Sequence, residues 1–450
     1  MPLARNPVKL LKFVFCFHNK AFCLRSPKSR TRGVWLEVRG NSRCRGTTIP
    51  ATTAAILCVC VCDGRYTRIP LTHPPGRRPP SLERRLFASG GAGRRRGSGP
   101  RPVLAMSLYR NSVWFVKGLR HYCRSGYESA SKHFVPEDLE VDVTGRHFMV
   151  TGGNSGIGKA AAKEIARRGG LVHLVCRNKD RAEEAKKDIT TETDNQNVFI
   201  HILDMSDPKG IWEFTERFKN EHRLNVLVNN AGCMVNQREL TKDGLEKNFA
   251  TNTLGTYILT TALLPLLERE DDPRVTTLSA FRGRDMKCSV LFGNPPRDRR
   301  TITVSSGGML VQKLDVSNLQ SENVAFDGTM VYAQNKRQQV VMTEQWAKAH
   351  PSVHFSSMHP GWADTPAVRS SMPDFYEKMK NRLRTEDQGA DTVVWLAVSR
   401  EAGKQASGQF FQDRQPVPTH LPLAQTKSSP GDEAKLMQFL EELSQKFKPR

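Results

Sequence analysis

The sequence predicts an α/β fold, a single doubly wound domain on a mostly parallel seven-stranded sheet, and three observations carry that prediction. First, a glycine-rich stretch, Thr151-Gly152-Gly153-Asn154-Ser155-Gly156-Ile157-Gly158, follows the apolar run His147–Val150 and precedes helix formers from Lys159 to Arg168. Second, short apolar runs alternate with helical patterns from residue 146 onward, the signature of a parallel sheet covered on both faces. Third, the imbalance in charge is confined to the N-terminal quarter. Residues 1–105 hold 21 of the 68 Lys and Arg but 3 of the 45 Asp and Glu, which leaves only +5 of the net +23 for the other 345 residues. The folded part is therefore nearly balanced, and no nucleic-acid partner is expected from it.

Residues 1–105 mix Arg runs, Pro-rich stretches and Gly/Ser tracts without lasting periodicity, so a disordered basic extension is expected, outside the working protein. Residues 106–145 open with a candidate amphipathic helix, in which Leu108, Trp114, Phe115, Leu119 and Tyr122 alternate with Arg110, Lys117, Arg120 and Arg124. That pattern suits docking on the domain surface first, with peripheral membrane contact through 106–124 as the alternative. The Rossmann domain is expected over 146–415, and a tail with a helix over 416–450. Ten cysteines, six of them before residue 106, show no zinc-ligand spacing with partner histidines. The reading is a reducing, intracellular setting, cytoplasmic or on a membrane surface, with no metal site and no disulfide framework.

Within the domain the strands are expected at Phe148–Thr151, Leu171–Cys176, Val198–Leu203, Val226–Asn229, Ile302–Ser305, Val353–Met358 and 408–411. A strand, a Gly-rich turn and a helix together form a phosphate-binding corner. Gly152, Asn154, Ser155, Gly156, Ile157 and Gly158 bring backbone and a helix N-terminus to a dinucleotide. The second strand ends Cys176-Arg177-Asn178, with no acid for a ribose 2′-hydroxyl. Arg177 therefore favours NADP(H), with NAD(H) as the other option. Asp204, closing the third strand, suits an adenine amino group, while Asp207 before Pro208 suits a helix cap. Small residues in Asn230-Ala231-Gly232, after the fourth strand, let backbone approach the cofactor.

Tyr332 and Lys336 stand at i and i+4 of a helix, which places an ammonium near a phenol. Such a cation is expected to lower the phenol pKa and fit Tyr332 for proton exchange with a carbonyl or alcohol. Ser306 can hydrogen-bond a substrate oxygen as charge develops on it. Asn252 sits within a helix against its propensity, which suits a water-holding role.

Taken together, Thr151–Gly158, Asn229–Gly232, Asn252, Ser306, Tyr332/Lys336 and His359-Pro360-Gly361 resemble the motif set of the short-chain dehydrogenases/reductases, in the family's order. The resemblance covers roughly residues 146–415. It implies that Tyr332 is the acid/base, Lys336 holds the nicotinamide ribose, Ser306 binds the reacting oxygen and Asn252 holds a relay water. It also implies that Pro360 and Gly361 contact the cofactor. The expected activity is hydride transfer between NADP(H) and a small carbonyl/alcohol substrate, a lipophilic one by kinship with retinol- and steroid-type reductases. The second reading is a catalytically silent NAD(P)-binding protein of the same fold, a redox sensor or scaffold.

One departure from that pattern stands out. Residues 276–301, basic and Pro-containing, interrupt the fifth strand, so Val275–Ala280 and Ile302–Ser305 compete for one slot. Ile302–Ser305 is the expected winner, because it carries Ser306 toward Tyr332; Ala280 would otherwise take the serine's place.

Overall fold

The computed structural model describes residues 102–269, 299–323 and 325–450, together with a small antiparallel pair, Cys16–Phe17 against Lys20–Ala21. Met1–Ala92 and Gly93–Arg450 form separate units. Apart from that pair and the residues from Pro102, the extension expected to be disordered lies outside the described residues, as does the competitor segment Val275–Ala280. From Pro102 the chain is already helical, four residues before the boundary expected at 106.

Eight strands form the sheet: β1 (His147–Thr151), β2 (Leu171–Cys176), β3 (Val198–Ile202), β4 (Val226–Asn229), β5 (Arg300–Val304), β6 (His354–Met358), β7 (Gln409–Gln412) and β8 (Gln415–Pro416). Their order is β8-β7-β6-β5-β4-β1-β2-β3, with β1 to β7 parallel and β8 antiparallel to β7. The chain reverses its winding direction at the β1/β4 boundary, where a doubly wound sheet opens its binding crevice. Seven strands were expected. The eighth is a two-residue edge after a tight turn at Asp413 and Arg414, both with positive φ (52° and 59°). Turns of that kind usually carry Asn-Gly or Asp-Gly. Here buried ion pairs hold it instead: Asp413 with Arg384 at 2.6 Å and Arg414 with Asp391 at 2.6 Å.

Helices α1 (Pro102–His121), α2 (Arg124–Ser131), α3 (Gly156–Arg167), α4 (Lys179–Thr193), α5 (Pro208–Glu221), α6 (Lys247–Phe249), α7 (Gly255–Glu268) and α8 (Gly328–Ala349) lead into the C-terminal part. There α9 (Pro366–Ser371), α10 (Pro373–Met379), α11 (Glu386–Val398), α12 (Arg400–Lys404) and α13 (Pro430–Gln445) complete the set. One apolar core packs α3, α4 and α11 against the sheet, and the other packs α5, α7, α8 and α13 against its opposite face. The C-terminal helix belongs to that second core, because Leu436 and Leu440 are fully buried in it and Tyr257 Oη donates to Glu441 at 2.8 Å. Asp207 caps α5 through Gly210 N, with Pro208 at the first helical position.

The contested slot between β4 and β6 is filled by Arg300–Val304, two residues earlier than the expected start at Ile302. Arg300 is fully buried, and its Nη1 donates to the carbonyls of Leu396 (2.8 Å) and Ser399 (2.7 Å) at the end of α11. A cation there meets the negative end of a helix, which compensates its burial. α1 docks on the domain: Tyr109 Oη donates to Pro422 O at 2.8 Å and Arg110 Nε to Ala424 O at 2.7 Å. Leu108, Phe115 and Val116 of α1 remain exposed. No helix among the described residues is long and apolar enough to cross a membrane.

Candidate active site

A cleft of about 690 Å³ opens at the carboxyl ends of the strands. Gly152, Asn154, Ser155, Gly156, Ile157, Gly158, Arg177, Asp204, Asn230, Ala231, Gly232, Ser306, Tyr332, Lys336, Pro360 and Gly361 all line it. Asn252, alone of the expected site residues, does not; it is fully buried behind the wall.

The loop after β1 is clamped from β4. Asn230 Nδ2 donates to Thr151 O (2.9 Å), and Thr151 Oγ1 accepts from the backbone N–H of Asn230 (3.0 Å) and Ala231 (2.9 Å). Thr151 was read as the end of the strand and the start of the loop, and its hydroxyl is what sets the loop against β4. Gly158 lies so close to this clamp that a Cβ would stand 2.3 Å from Gly152 O and 2.4 Å from Asn230 Nδ2. Only glycine fits there. Ser155 precedes α3 without a side-chain cap, so the first-turn N–H groups face the cleft with no internal acceptor. Those donors, with Arg177 exposed at the end of β2 and Arg181 also on the cleft wall, fit the phosphates of a dinucleotide. Asp204 is exposed, and its Oδ1 accepts from Ser206 N and Oγ, both at 2.8 Å.

On α8, Lys336 Nζ lies 5.3 Å from the Tyr332 ring centre and donates to Val304 O (2.9 Å) and Gln339 Oε1 (3.0 Å). Burial lowers the Lys336 pKa to about 8, with the Cys233 thiol opposing. Burial also pushes the Tyr332 phenol well above its usual range, and Cys233 adds to the shift. The expected lowering of the phenol by Lys336 is therefore outweighed. An ammonium over the ring face acts weakly on the hydroxyl, whereas desolvation acts on the whole phenolate. Ser306 begins the short 3₁₀ turn Gly307–Val311, and its Oγ accepts from Gly308 N at 3.2 Å.

Asn252 sits in a π-helical segment, Ala250–Leu254, between α6 and α7. Its Oδ1 accepts from Cys233 N (2.8 Å), while its Nδ2 donates to Cys233 O (2.8 Å) and Asn335 Oδ1 (3.2 Å). The side chain is thus occupied in holding the β4–α6 loop, and the main-chain carbonyl accepts from Gln339 Nε2 at 2.7 Å. Gln339 links Lys336 to Asn252 through one side-chain amide, a part that sequence reading missed. Its position, three residues after Lys336 on one helix face, is the signal that was available.

The far wall is apolar, with Met234, Val235, Trp362, Val368, Met372 and Phe375. Met379 is buried with Tyr122, Trp362 and Leu383. Gly361 (φ +79°) turns the chain after β6, and Arg384 fills the space beside it, leaving a Cβ there 2.3 Å from Arg384 Nε. Arg384 also donates to His121 O (2.7 Å), Tyr122 O (3.1 Å) and Asp413 (2.6 and 3.0 Å).

Known proteins resemble this chain in sequence and fold. A family profile described as short chain dehydrogenase matches residues 146–289. "Dehydrogenase/reductase SDR family member 12" of Bos taurus is 65% identical over 343 residues, which are 76% of this chain and 100% of that protein. "Retinol dehydrogenase 11" of Homo sapiens is 32% identical over 278 residues, 61% of this chain and 79% of that protein. Among solved structures, an uncharacterised protein from Mycobacterium Paratuberculosis shares the fold at a TM-score of 0.50 with 23% identity, covering 68% of this chain and 95% of that one. With a full-length relative at this identity and the family's motifs gathered along one cleft, the chain belongs to the short-chain dehydrogenase/reductase family.

Proposed function

We propose that the protein transfers hydride between NADP(H) and the carbonyl carbon of a lipophilic carbonyl/alcohol pair. The observation that carries this reading is the shared cleft. It joins the uncapped start of α3 and Arg177 at one end to Ser306, Tyr332 and Lys336 at the other. Bound there, the nicotinamide supplies or accepts the hydride. Tyr332 donates its proton to the carbonyl oxygen during reduction and takes it back during oxidation. Ser306 Oγ holds that oxygen, and Lys336 anchors the cofactor ribose while staying tied to Val304 O and Gln339. The apolar wall around Val368, Met372 and Phe375 excludes water and favours an apolar substrate. The printed name of the retinol dehydrogenase relative points the same way, since retinol is a lipophilic alcohol.

The domain division proposed is an N-terminal extension, the α1–α2 segment, the catalytic unit and the α13 tail. Peripheral membrane contact falls to the exposed Leu108, Phe115 and Val116.

Thermal melting with NADPH and with NADH tests the cofactor half. Saturation at 100 times the dissociation constant stabilises the native state by about 2.7 kcal/mol. NADPH is expected to raise the midpoint more than NADH at equal concentration, and Arg177→Ala to erase the difference. Equal shifts in the wild-type protein would overturn the assignment of Arg177, and no shift with either would favour the silent reading.

A further inference from the structure

Four of the chain's twelve histidines meet between the sheet and α5. His147 opens β1, His173 lies in β2, His201 in β3, and His222 forms the C-terminal cap of α5. None of them lines the cofactor cleft. We propose that His173, His201 and His222 bind a divalent transition-metal ion, zinc above all, with His147 as the group that positions His173.

Three features support the site. The ligand atoms of the three imidazoles already lie within 4.8 Å of one another. His147 Nδ1 is 3.1 Å from His173 Nε2, so a proton on Nε2 donated to His147 leaves the His173 Nδ1 lone pair directed inward. That outer hydrogen bond is how proteins fix the tautomer of a metal-binding histidine. On its inner side, His173 Nδ1 lies 3.0 Å from His201 Nε2. The His201 Nε2 proton bridges that gap, and an incoming ion takes its place as the proton moves to His201 Nδ1.

The surroundings suit an ion held by neutral imidazole. Phe199, Phe214 and Phe218 pack against the rings, and the closest carboxylate oxygen paired with the cluster, Glu221 Oε2, stands 3.8 Å from His222 Nε2. Imidazole donors without thiolate or carboxylate favour zinc, copper or nickel over calcium or magnesium. Zinc–nitrogen bonds of about 2.0–2.1 Å put tetrahedral ligand nitrogens about 3.4 Å apart. The His173–His201 pair must open by a few tenths of an ångström, and His222 must swing inward. His222 is partly exposed at a helix end, where a side-chain rotation is cheap. The bound ion would tie β2 and β3 to the end of α5, a structural link away from the cleft.

The test is zinc binding by the full-length chain, measured by equilibrium dialysis and by thermal melting, for wild type, His201→Asn and His222→Ala. Because the chain also carries ten cysteines, the readout is the difference in stoichiometry. Each variant is expected to hold one zinc fewer than wild type and to lose the zinc-dependent rise in midpoint. Cobalt substituted at the site is expected to show no thiolate charge-transfer band that the variants remove. Equal stoichiometry in all three proteins, or no zinc bound by wild type, would mean that the four rings are only a hydrogen-bonded imidazole ladder. Should His201→Asn fail to fold, His222→Ala at the half-exposed helix end decides alone.

Discussion

Tyr332 and Lys336 occupy one helix face, yet burial moves their protons in opposite directions. It holds the phenol protonated and brings the ammonium down to about 8. The sign for stability follows from proton counting. Between pH 8 and 10.5 the unfolded chain keeps its Lys336 proton while the folded chain releases it, so stability rises with pH. Above 10 the unfolded phenol ionises and the folded Tyr332 does not, which reverses the trend. A pH series of melts on wild type is expected to show the rise between 8 and 10 that Lys336→Met lacks. For carbonyl reduction, activity should fall above pH 8 as Lys336 loses its charge. The Gln339 oxygen stabilises that charge, so Gln339→Leu should move the falling limb of kcat/KM to lower pH and Gln339→Glu to higher pH. Limbs that coincide in all three proteins would separate Gln339 from Lys336. Tyr332→Phe is expected to lower kcat by about 10²–10⁴-fold, the usual worth of a positioned proton donor, while the NADPH-induced midpoint shift stays within error. Retained turnover would remove Tyr332 from the role proposed for it.

At the scale of elements, the strands were legible because periodicity and turn chemistry agreed: the phosphate-binding corner was visible as strand, glycines and helix former, and β1, β2 and β4 fall where the apolar runs put them. The hidden parts depend on partners distant in sequence. β8 follows a turn without glycine, held by the buried ion pairs of Asp413 and Arg414 with residues of the preceding loop and α11. Likewise, Asn252 reads as a polar misfit in a helix until Cys233 and Asn335 are brought to it. The histidine cluster draws one residue from each of four elements, so no spacing could reveal it. Arg384 shows what such a distant partner does. It joins the end of α1, the Pro360–Gly361 turn that lines the cleft and the β7–β8 turn. Arg384→Ala would strand Asp413 as a buried charge and open the space beside Gly361. A loss of about 3–5 kcal/mol in denaturant unfolding is expected from breaking such a pair. Because the turn forms one wall of the cleft, NADPH affinity should fall with it. A loss below 1 kcal/mol would mean that solvent reaches the pair freely.

At the scale of the whole molecule, a basic, Pro-containing stretch leads into a central strand that starts at Arg300, and the register of β5 shows how the strand takes its place in the sheet. Arg300 and Thr301 precede Ile302 in the strand, and Arg300 Nη1 caps the carbonyls of Leu396 and Ser399. Arg274 and Val275 stand at the other border of the inserted stretch. Deleting 276–301 would join Val275 to Ile302 and bring Arg274 to the position now held by Arg300, with the same side chain two residues before Ile302. The connection from α7 to β5 would shrink from 269–299 to 269–273, a length common between a helix and a strand. Loop closure alone then favours the shortened chain by about 1.6 kcal/mol, from the logarithmic dependence on length. The Δ276–301 protein is therefore expected to melt at or above the wild-type midpoint and to keep its NADPH-induced shift, since Ser306, Tyr332 and Lys336 are untouched. Arg274→Leu placed in the shortened protein should lower the midpoint, while the same substitution in the full-length chain should leave it nearly unchanged. If Δ276–301 loses NADPH binding while full-length protein retains it, the duplicated border does not rebuild the strand, and the inserted residues themselves support the cleft.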